Sequence, residues 1–474
     1  MFSITKKFFC KIFRKIGYQL NVTTLQKVDE LEKNSKLTIY NTDRIENRLT
    51  DLENDIHNVE NNIQSCYNRI EITENNLNYY NMIRSIQSQN PFTNFELLNC
   101  NFSSGKKILI AGFYGAYNLG DELMLQTLLD KLGLIKDLDI TVMLCNNENY
   151  NYSWLPAVNI IHYPRTVWDY NTLANKFDCL IWGGGAIIDD SNYGFENISD
   201  LGSIFIELSS RFIKFGKSCI ALGLSSNRVI QNELYINKLK NIIENSTYFS
   251  VRDFYSKKTL ESIGATPQKI NVIYDLVFAN DIWKNDAEKP NKSKVTIGIV
   301  FVALNKQKEK LQRMLDSVFQ VCSELYGKNF EIHCIPFYNH NNNDTEFYKS
   351  ISNGDNIIIC DYKNDISEIF KEFSSLDIVI SMRYHATVIS AILKIPTILV
   401  CMNDHPHYYN KMMSITDITN NKKSFIDFGT ITSKNFADII KFKLQNIKQT
   451  SFDRTILQSS DNRIKNILNT FLGE

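Results

Sequence analysis

The sequence predicts an α/β protein in which two domains built from βαβ units face a cleft, preceded by an N-terminal helical coiled coil. Three observations predict it. From residue 106 onward, short β-rich runs alternate with helical patterns, as parallel sheets with crossover helices require. Two segments, 106–129 and 376–400, each hand a buried strand over to a helix through a short loop bearing glycines or ionisable groups. Residues 25–85 are polar, rich in Asn, and carry a seven-residue apolar repeat.

The elements follow in chain order. In 1–22, Phe2, Phe9, Ile12, Phe13, Ile16 and Leu20 fall on one helical face and Lys6, Lys7, Lys11, Arg14 and Lys15 largely off it. Such a basic amphipathic helix either lies on an anionic bilayer surface or packs on the protein body or a partner. Residues 23–90 read as the coiled coil. Its seams pass through Leu49, Ile56, Ile63 and Ile70 and through Ile45, Leu52 and Val59, which implies self-association, with a helical hairpin folded on itself as the alternative. Asn90-Pro91 ends the region, and 91–105 is a linker.

In the first domain, 106–285, strands are expected at 107–111, 140–144, 179–182, 218–222 and 247–251. In the second, 293–430, they are expected at 295–300, 330–335, 356–360, 376–381 and 396–400, with 385–394 as a helix. The polar stretch from Asp281 to Ser293, containing Pro290, is the expected hinge, and 431–474 reads as terminal helices.

Composition narrows the partners. A chain of 474 residues exceeds one ordinary core, so two domains with an appendage are expected. Its 52 basic and 52 acidic residues cancel, which argues against a nucleic-acid partner held by bulk charge. The ten cysteines form no C-x-x-C pair and read as reduced thiols. No apolar run reaches the ~18 residues of a membrane span, and Lys11, Arg14 and Lys15 interrupt any signal-peptide core. The expected location is cytoplasmic, at the inner face of the plasma membrane if the N-terminal helix binds lipid.

Chemistry concentrates at the two junctions. Arg383 and His385 stand where the strand at 376–381 gives way to a helix, and anionic ligands bind at such mouths in open parallel sheets. At the earlier junction, Gly112, Gly115 and Gly120 permit close backbone approach, while Asn118 or Asp121 could simply cap the helix. That loop lacks the G-x-G-x-x-G spacing and the Walker lysine of nucleotide sites.

Taken in order, Asn118-Leu-Gly-Asp-Glu122, Trp182-Gly-Gly-Gly-Ala-Ile-Ile-Asp-Asp190, Ser250-Val-Arg-Asp-Phe-Tyr-Ser256, Ile335-Pro-Phe-Tyr-Asn-His340 with Asp344 beyond it, and Ser381-Met-Arg-Tyr-His385 resemble the polysaccharide pyruvyl transferase family over residues 105–425. Two departures are Asp275-Leu276 where the family usually has Asp-Pro, and Tyr384 between the Arg and the His. The resemblance implies two Rossmann-like domains in a glycosyltransferase-B-like arrangement. It also implies transfer of the enolpyruvyl group of phosphoenolpyruvate onto a sugar of a capsular or cell-surface glycan precursor, lipid-linked or nucleotide-activated, to form a pyruvate ketal.

That chemistry needs an anion cradle, a proton for the methylene carbon and a base for the acceptor hydroxyl. A guanidinium such as that of Arg383 grips a carboxylate or phosphate at two points, and an imidazole such as that of His385 handles protons near neutrality. By resemblance Arg252 is a second clamp, although an Arg followed by Asp253 is often an internal ion pair; Lys411 stands where relatives often carry a basic residue. Gly183, Gly184 and Gly185 either admit ligand to the backbone or form a tight turn. Asp121, Glu122 and Asp190 are the candidate acceptor-side carboxylates, one of which either deprotonates the sugar hydroxyl or holds it by hydrogen bonds; Asp121 stands with Arg383 and His385 among the catalytic candidates. His340 is a candidate proton relay or a solvated loop residue.

No metal or cofactor is expected. His405 and His407 lack a partner at fixed ligand spacing other than Asp404, and Asp137-Leu-Asp139 precedes a strand rather than following one. Two alternatives remain: a nucleotide-sugar glycosyltransferase of the same architecture, which should carry a ribose-clamping Glu near 381–400 where this chain has none, and a non-catalytic coiled-coil scaffold.

Overall fold

A computed structural model describes residues 100–473, apart from 101, 146–153, 165–166, 194–199, 227, 282–291, 341–342, 353, 361–365, 402–405, 420–424 and 448–451; before residue 100 it describes only Lys27. The N-terminal helix, the heptad region, most of the linker, the hinge around Pro290, and His405 lie outside the described residues.

The first half contributes strands β1 (Lys106–Ala111), β2 (Leu138–Leu144), β3 (Asn159–His162), β4 (Cys179–Trp182), β5 (Gly185–Ile188), β6 (Ser218–Ser226), β7 (Tyr248–Val251) and β8 (Asn271–Val272). Its helices are α1 (Leu119–Leu132), α2 (Val167–Lys176), α3 (Leu201–Lys214), α4 (Glu233–Asn245) and α5 (Phe254–Ser262). The second half contributes β9 (Val295–Val300), β10 (Phe330–Cys334), β11 (Ile357–Ile359), β12 (Ile378–Ser381), β13 (Thr397–Cys401) and β14 (Phe425–Asp427). With them come α6 (Lys308–Tyr326), α7 (Asn343–Ile351), α8 (Ile366–Ser374), α9 (Tyr384–Ile392), α10 (Pro406–Thr419), α11 (Ser433–Gln445) and α12 (Thr455–Leu472).

Both sheets are parallel throughout. The first runs β3-β2-β1-β4-β6-β7-β8, with β5 pairing along β6; the second runs β11-β10-β9-β12-β13-β14. The central strands β4, β12 and β13 are buried at every position, because helices cover both faces and leave no solvent side for polar residues. The expected strands are all present. Four others, β3, β5, β8 and β14, escape a pattern search: each is two to four residues long, and β5 opens inside the glycine run.

In each sheet the strand order reverses beside the first strand of that half. The chain steps from β1 outward through β2 and β3, then returns to place β4 on the other flank of β1; β9 and β12 repeat the pattern. Loops after these strands therefore splay apart and leave a crevice at their carboxyl ends.

The chain end crosses back from the second half onto the first. Helix α12 packs on α1 and on the 3-10 turn Leu276–Ala279, and Phe452 stacks on Phe278 at 5.8 Å. Lys131, with a fully buried side chain, reaches Asp281 at 2.7 Å and Asp461 at 2.8 Å. A buried ammonium needs such partners to offset its desolvation. Among the described residues, no helix is long and apolar enough to cross a membrane.

Candidate active site

The two crevices open into one cavity of about 520 Å³. Its walls carry Asn118 and Asp121 from the first junction, Ala186 and Ile187 after β4, Arg252 after β7, Val302 after β9, Arg383, Tyr384 and His385 after β12, and Lys411 of α10. Five ionisable side chains singled out in the sequence, Asp121, Arg252, Arg383, His385 and Lys411, thus share one chamber.

A backbone clasp sets the two junctions against each other. Leu119 N–H donates to Phe337 O and Asn339 N–H to Tyr117 O, both at 2.9 Å, so the Asn118 loop pairs with the Tyr338 loop across the halves. The first turn of α1 then meets the second half directly. Gly120 is what allows it: a Cβ there would lie 1.9 Å from His385 Nδ1. The imidazole of the second half rests where the α1 backbone has no side chain.

His385 is held from the other side by a residue the sequence reading left without a role. Asp275, just past β8, presents Oδ2 to Arg252 Nη1 at 2.8 Å and to His385 Nε2 at 3.3 Å, while its Oδ1 accepts the Val277 N–H. Burial alone would raise this carboxyl. His385, the Arg252 guanidinium and the Val277 N–H outweigh it and hold Asp275 well below the usual carboxylate range. The adjacent Asp253 is not the ion-pair partner that the Arg-Asp dipeptide suggested; it caps α5 by accepting the Ser256 N–H at 2.6 Å.

Arg252 is 2 % exposed, and only its Nη1 is engaged: Nε and Nη2 have no hydrogen-bond partner among the described residues. Its guanidinium carbon sits 4.3 Å from the Tyr384 ring centroid, and Lys411 Nζ lies 5.6 Å from the same ring. The Tyr at the variable position of the Ser-x-Arg-x-His segment is therefore the plate on which two cations rest. Arg383, the N-cap of α9, gives Nη2 to both oxygens of buried Asp344, at 3.0 and 2.9 Å, and leaves Nε unpartnered. Asp344 in turn accepts the N–H groups of Phe337 and Tyr338, so the Arg383 anchor and the clasp share one carboxylate.

Asp121 and Lys411 are perturbed in opposite directions. Burial pushes Asp121 up to about 6, against the pull of His385, Lys411 and Arg252. Burial and the Arg252 charge bring Lys411 down to about 7, against Asp121 and the other carboxylates. Groups displaced toward neutrality in a cleft are candidates for proton transfer.

The remaining predicted residues lie elsewhere. Glu122 accepts the Gly115 N–H at 3.1 Å and so braces the glycine loop from within. Gly183, Gly184 and Gly185 back the wall rather than form it. The Gly183 carbonyl accepts the Tyr114 hydroxyl, a Cβ at Gly183 would meet that oxygen at 2.1 Å, and Gly184 and Gly185 have φ of +88° and +97°. Asp190 accepts the N–H groups of Gln231 and Asn232 at 2.6 and 2.7 Å. His340 stacks against Tyr338 and opens onto a separate pocket with Asn343 and Glu346. Asp275 and Asp344, which the sequence offers only as an Asp at a strand end and an Asp four residues past His340, supply the carboxylates that pair with Arg252 and Arg383.

Comparison with known proteins bears on the fold and the family. The family model described as polysaccharide pyruvyl transferase matches residues 118–405. No curated protein matches the chain. Among solved structures, the UDP-GlcNAc 2-epimerase of Methanocaldococcus jannaschii superposes with a TM-score of 0.52 at 13% identity, covering 77% of this chain and 99% of that one. A putative UDP-N-acetylglucosamine 2-epimerase of Listeria monocytogenes gives 0.50 at 11%, covering 77% and 97%. At such identities the likeness concerns the fold alone: two parallel α/β halves in the glycosyltransferase-B-like manner.

Proposed function

The chain belongs to the polysaccharide pyruvyl transferase family, and from that premise we propose that it transfers the enolpyruvyl group of phosphoenolpyruvate to a vicinal or 1,3-related hydroxyl pair of a cell-surface glycan precursor, forming a pyruvate ketal and releasing phosphate. One observation carries this reading. Two guanidinium groups on the cavity wall, that of buried Arg252 and that of half-buried Arg383, keep buried donors without partners, Nε and Nη2 of Arg252 and Nε of Arg383, although their carboxylate neighbours are already engaged. A buried donor without a partner costs about 1–3 kcal/mol, so a site that leaves three of them is built for an anion that brings acceptors. Phosphoenolpyruvate brings a carboxylate and a phosphate on three carbons.

In this reading Arg252 and Arg383 hold the two anionic ends, and Lys411 and Tyr384 wall the guanidinium of Arg252 in place. His385 gives a proton to the methylene carbon, which becomes the methyl group, and positive charge develops at the adjacent carbon. Asp121 accepts the proton of the first sugar hydroxyl as its oxygen bonds to that carbon. The second hydroxyl then adds to the same carbon, the phosphate leaves with the C–O bond electrons, and the second hydroxyl proton goes to phosphate or solvent. Asp275 keeps the imidazole aimed and offsets charge on Arg252.

Titration calorimetry of the purified full chain with phosphoenolpyruvate, UDP-sugars and GDP-sugars tests the donor. Saturable binding of phosphoenolpyruvate that is lost in Arg252→Ala is expected. Binding of a nucleotide sugar with none of phosphoenolpyruvate would replace this reading by a glycosyltransferase.

A further inference from the structure

Outside the cavity, the second sheet gathers a nitrogen, a sulfur and an oxygen ligand at one point. His333 of β10, Cys360 immediately after the edge strand β11, and Glu372 of α8 bring their ligating atoms within 4.8 Å of one another. We propose that His333 Nδ1, Cys360 Sγ and a Glu372 carboxylate oxygen form a structural site for a divalent transition metal, Zn²⁺ by donor chemistry, with the fourth position left to water.

Three features support it. The donor set is mixed thiolate, imidazole and carboxylate, which suits Zn²⁺ rather than Mg²⁺ or Ca²⁺. Ligand atoms around a tetrahedral Zn²⁺ stand about 3.5 Å apart, and the cluster brackets that spacing: His333 Nδ1 and Glu372 are in direct hydrogen-bond contact, which the ion would part, while all three ligand atoms lie within 4.8 Å of one another. The far side of the ring is also prepared. Glu331, two residues along the same face of β10, lies 3.4 Å from His333 Nε2 and is itself held by Lys294 at 2.7 Å. A metal-bound imidazole that donates its other N–H to a carboxylate is the arrangement that fixes ring orientation and raises ligand basicity. Metal binding displaces the Cys360 S–H proton, which passes to solvent as the S–metal bond forms.

The placement gives the site a purpose. Strand β11 has three residues and lies at the sheet edge, with Ile358 40% exposed. A metal bound by a residue just past it, by the neighbouring strand and by α8 would staple this edge down. None of the three ligands lines the active-site cavity. The three ligands come from three separate elements, so no local spacing in the sequence announces them.

The test uses the chelator-treated full chain titrated with Co²⁺ and then Zn²⁺. One equivalent of Co²⁺ should produce a near-ultraviolet thiolate-to-cobalt band that Zn²⁺ abolishes, and Zn²⁺ should raise the melting temperature. Cys360→Ser should remove the band, Glu372→Gln should weaken Zn²⁺ binding at least tenfold, and Glu331→Gln should weaken it about tenfold. Glu372→Gln preserves side-chain shape and guards against a folding defect in the cysteine variant. A chain that gives no thiolate band, a band that survives Cys360→Ser, or wild-type affinity in Glu372→Gln would each overturn the site.

Discussion

Gly120→Ala isolates the contact on which the proposed proton transfer depends. The added Cβ would lie 1.9 Å from His385 Nδ1, 2.3 Å from Cγ and 2.7 Å from Cε1. Carbon and ring atoms settle at roughly 3.5 Å, so the imidazole must retreat by ~1.5 Å. Its retreat is obstructed, since Asp275 stands 3.3 Å from Nε2 and the Tyr384 ring lies edge-on with centroids 5.2 Å apart. Displacing a reacting group by about 1 Å can cost about 100-fold in rate, or ~2.7 kcal/mol of barrier. Stability should not fall in step. Gly120 lies in the first turn of α1 without a positive φ, so alanine gains up to ~1 kcal/mol of helix propensity against the strain of the moved ring. Phosphate release with the acceptor that supports the wild-type chain should therefore drop about 100-fold, while phosphoenolpyruvate affinity stays within threefold because Arg252 and Arg383 are untouched. Gly133→Ala at the other end of the same helix is the control, since the nearest atom to its Cβ is 3.4 Å away. A Gly120→Ala chain with normal turnover, or one whose whole defect is lost donor binding, would refute the placement of His385 as the acid.

The other outcomes separate the remaining roles. Arg383→Ala should abolish phosphoenolpyruvate binding in calorimetry, whereas His385→Ala should lower turnover more than donor affinity; normal turnover in both would remove the site assignment. Asp275→Asn should destabilise the chain by ~2–4 kcal/mol by stripping buried Arg252 of its counter-charge, and phosphoenolpyruvate should raise its melting temperature more than that of wild type because the ligand anion substitutes. Equal shifts would mean that Arg252 does not face the donor. Asp121 has a folded-state value raised to about 6 from 3.8, so the folded chain binds the extra proton between those values and the cost of its charge is complete above pH 6. Asp121→Asn should then add on the order of 1–3 kcal/mol of stability at pH 7.5 and little at pH 3.5, while turnover collapses and the fall in wild-type turnover below pH ~6 disappears. Urea melts at the two pH values check the first half and a pH–rate profile the second.

What the sequence made legible depends on how locally each feature is written. A strand buried on both faces, such as Ile378–Ser381 or Thr397–Cys401, must be apolar along its whole length, so it stands out in one dimension. Strand Asn271–Val272 is only two residues long and gains its place from pairing with Tyr248–Val251, which no local pattern records. The family resemblance was readable from short motifs whose order along the chain is itself information, and the family match bears it out. Side-chain partnerships were not readable. Arg252 has an Asp beside it in sequence and chooses Asp275 instead, because β7 and β8 are neighbours and both end at the cavity. Arg383 finds Asp344 for the same reason, the loops after β10 and β12 converging on the crevice beside β9. Glycine is the reverse case. At Gly120 the sequence showed only freedom of backbone, and the three-dimensional reason is a vacancy that a side chain from the other half fills. The two halves are thus coupled through the imidazole itself: it rests on α1 and meets Asp275, both in the first half, while its backbone belongs to the second. A motion that opened the cleft would have to lift His385 off Gly120 and away from Asp275 together, so the proposed acid is in position only when the halves are closed.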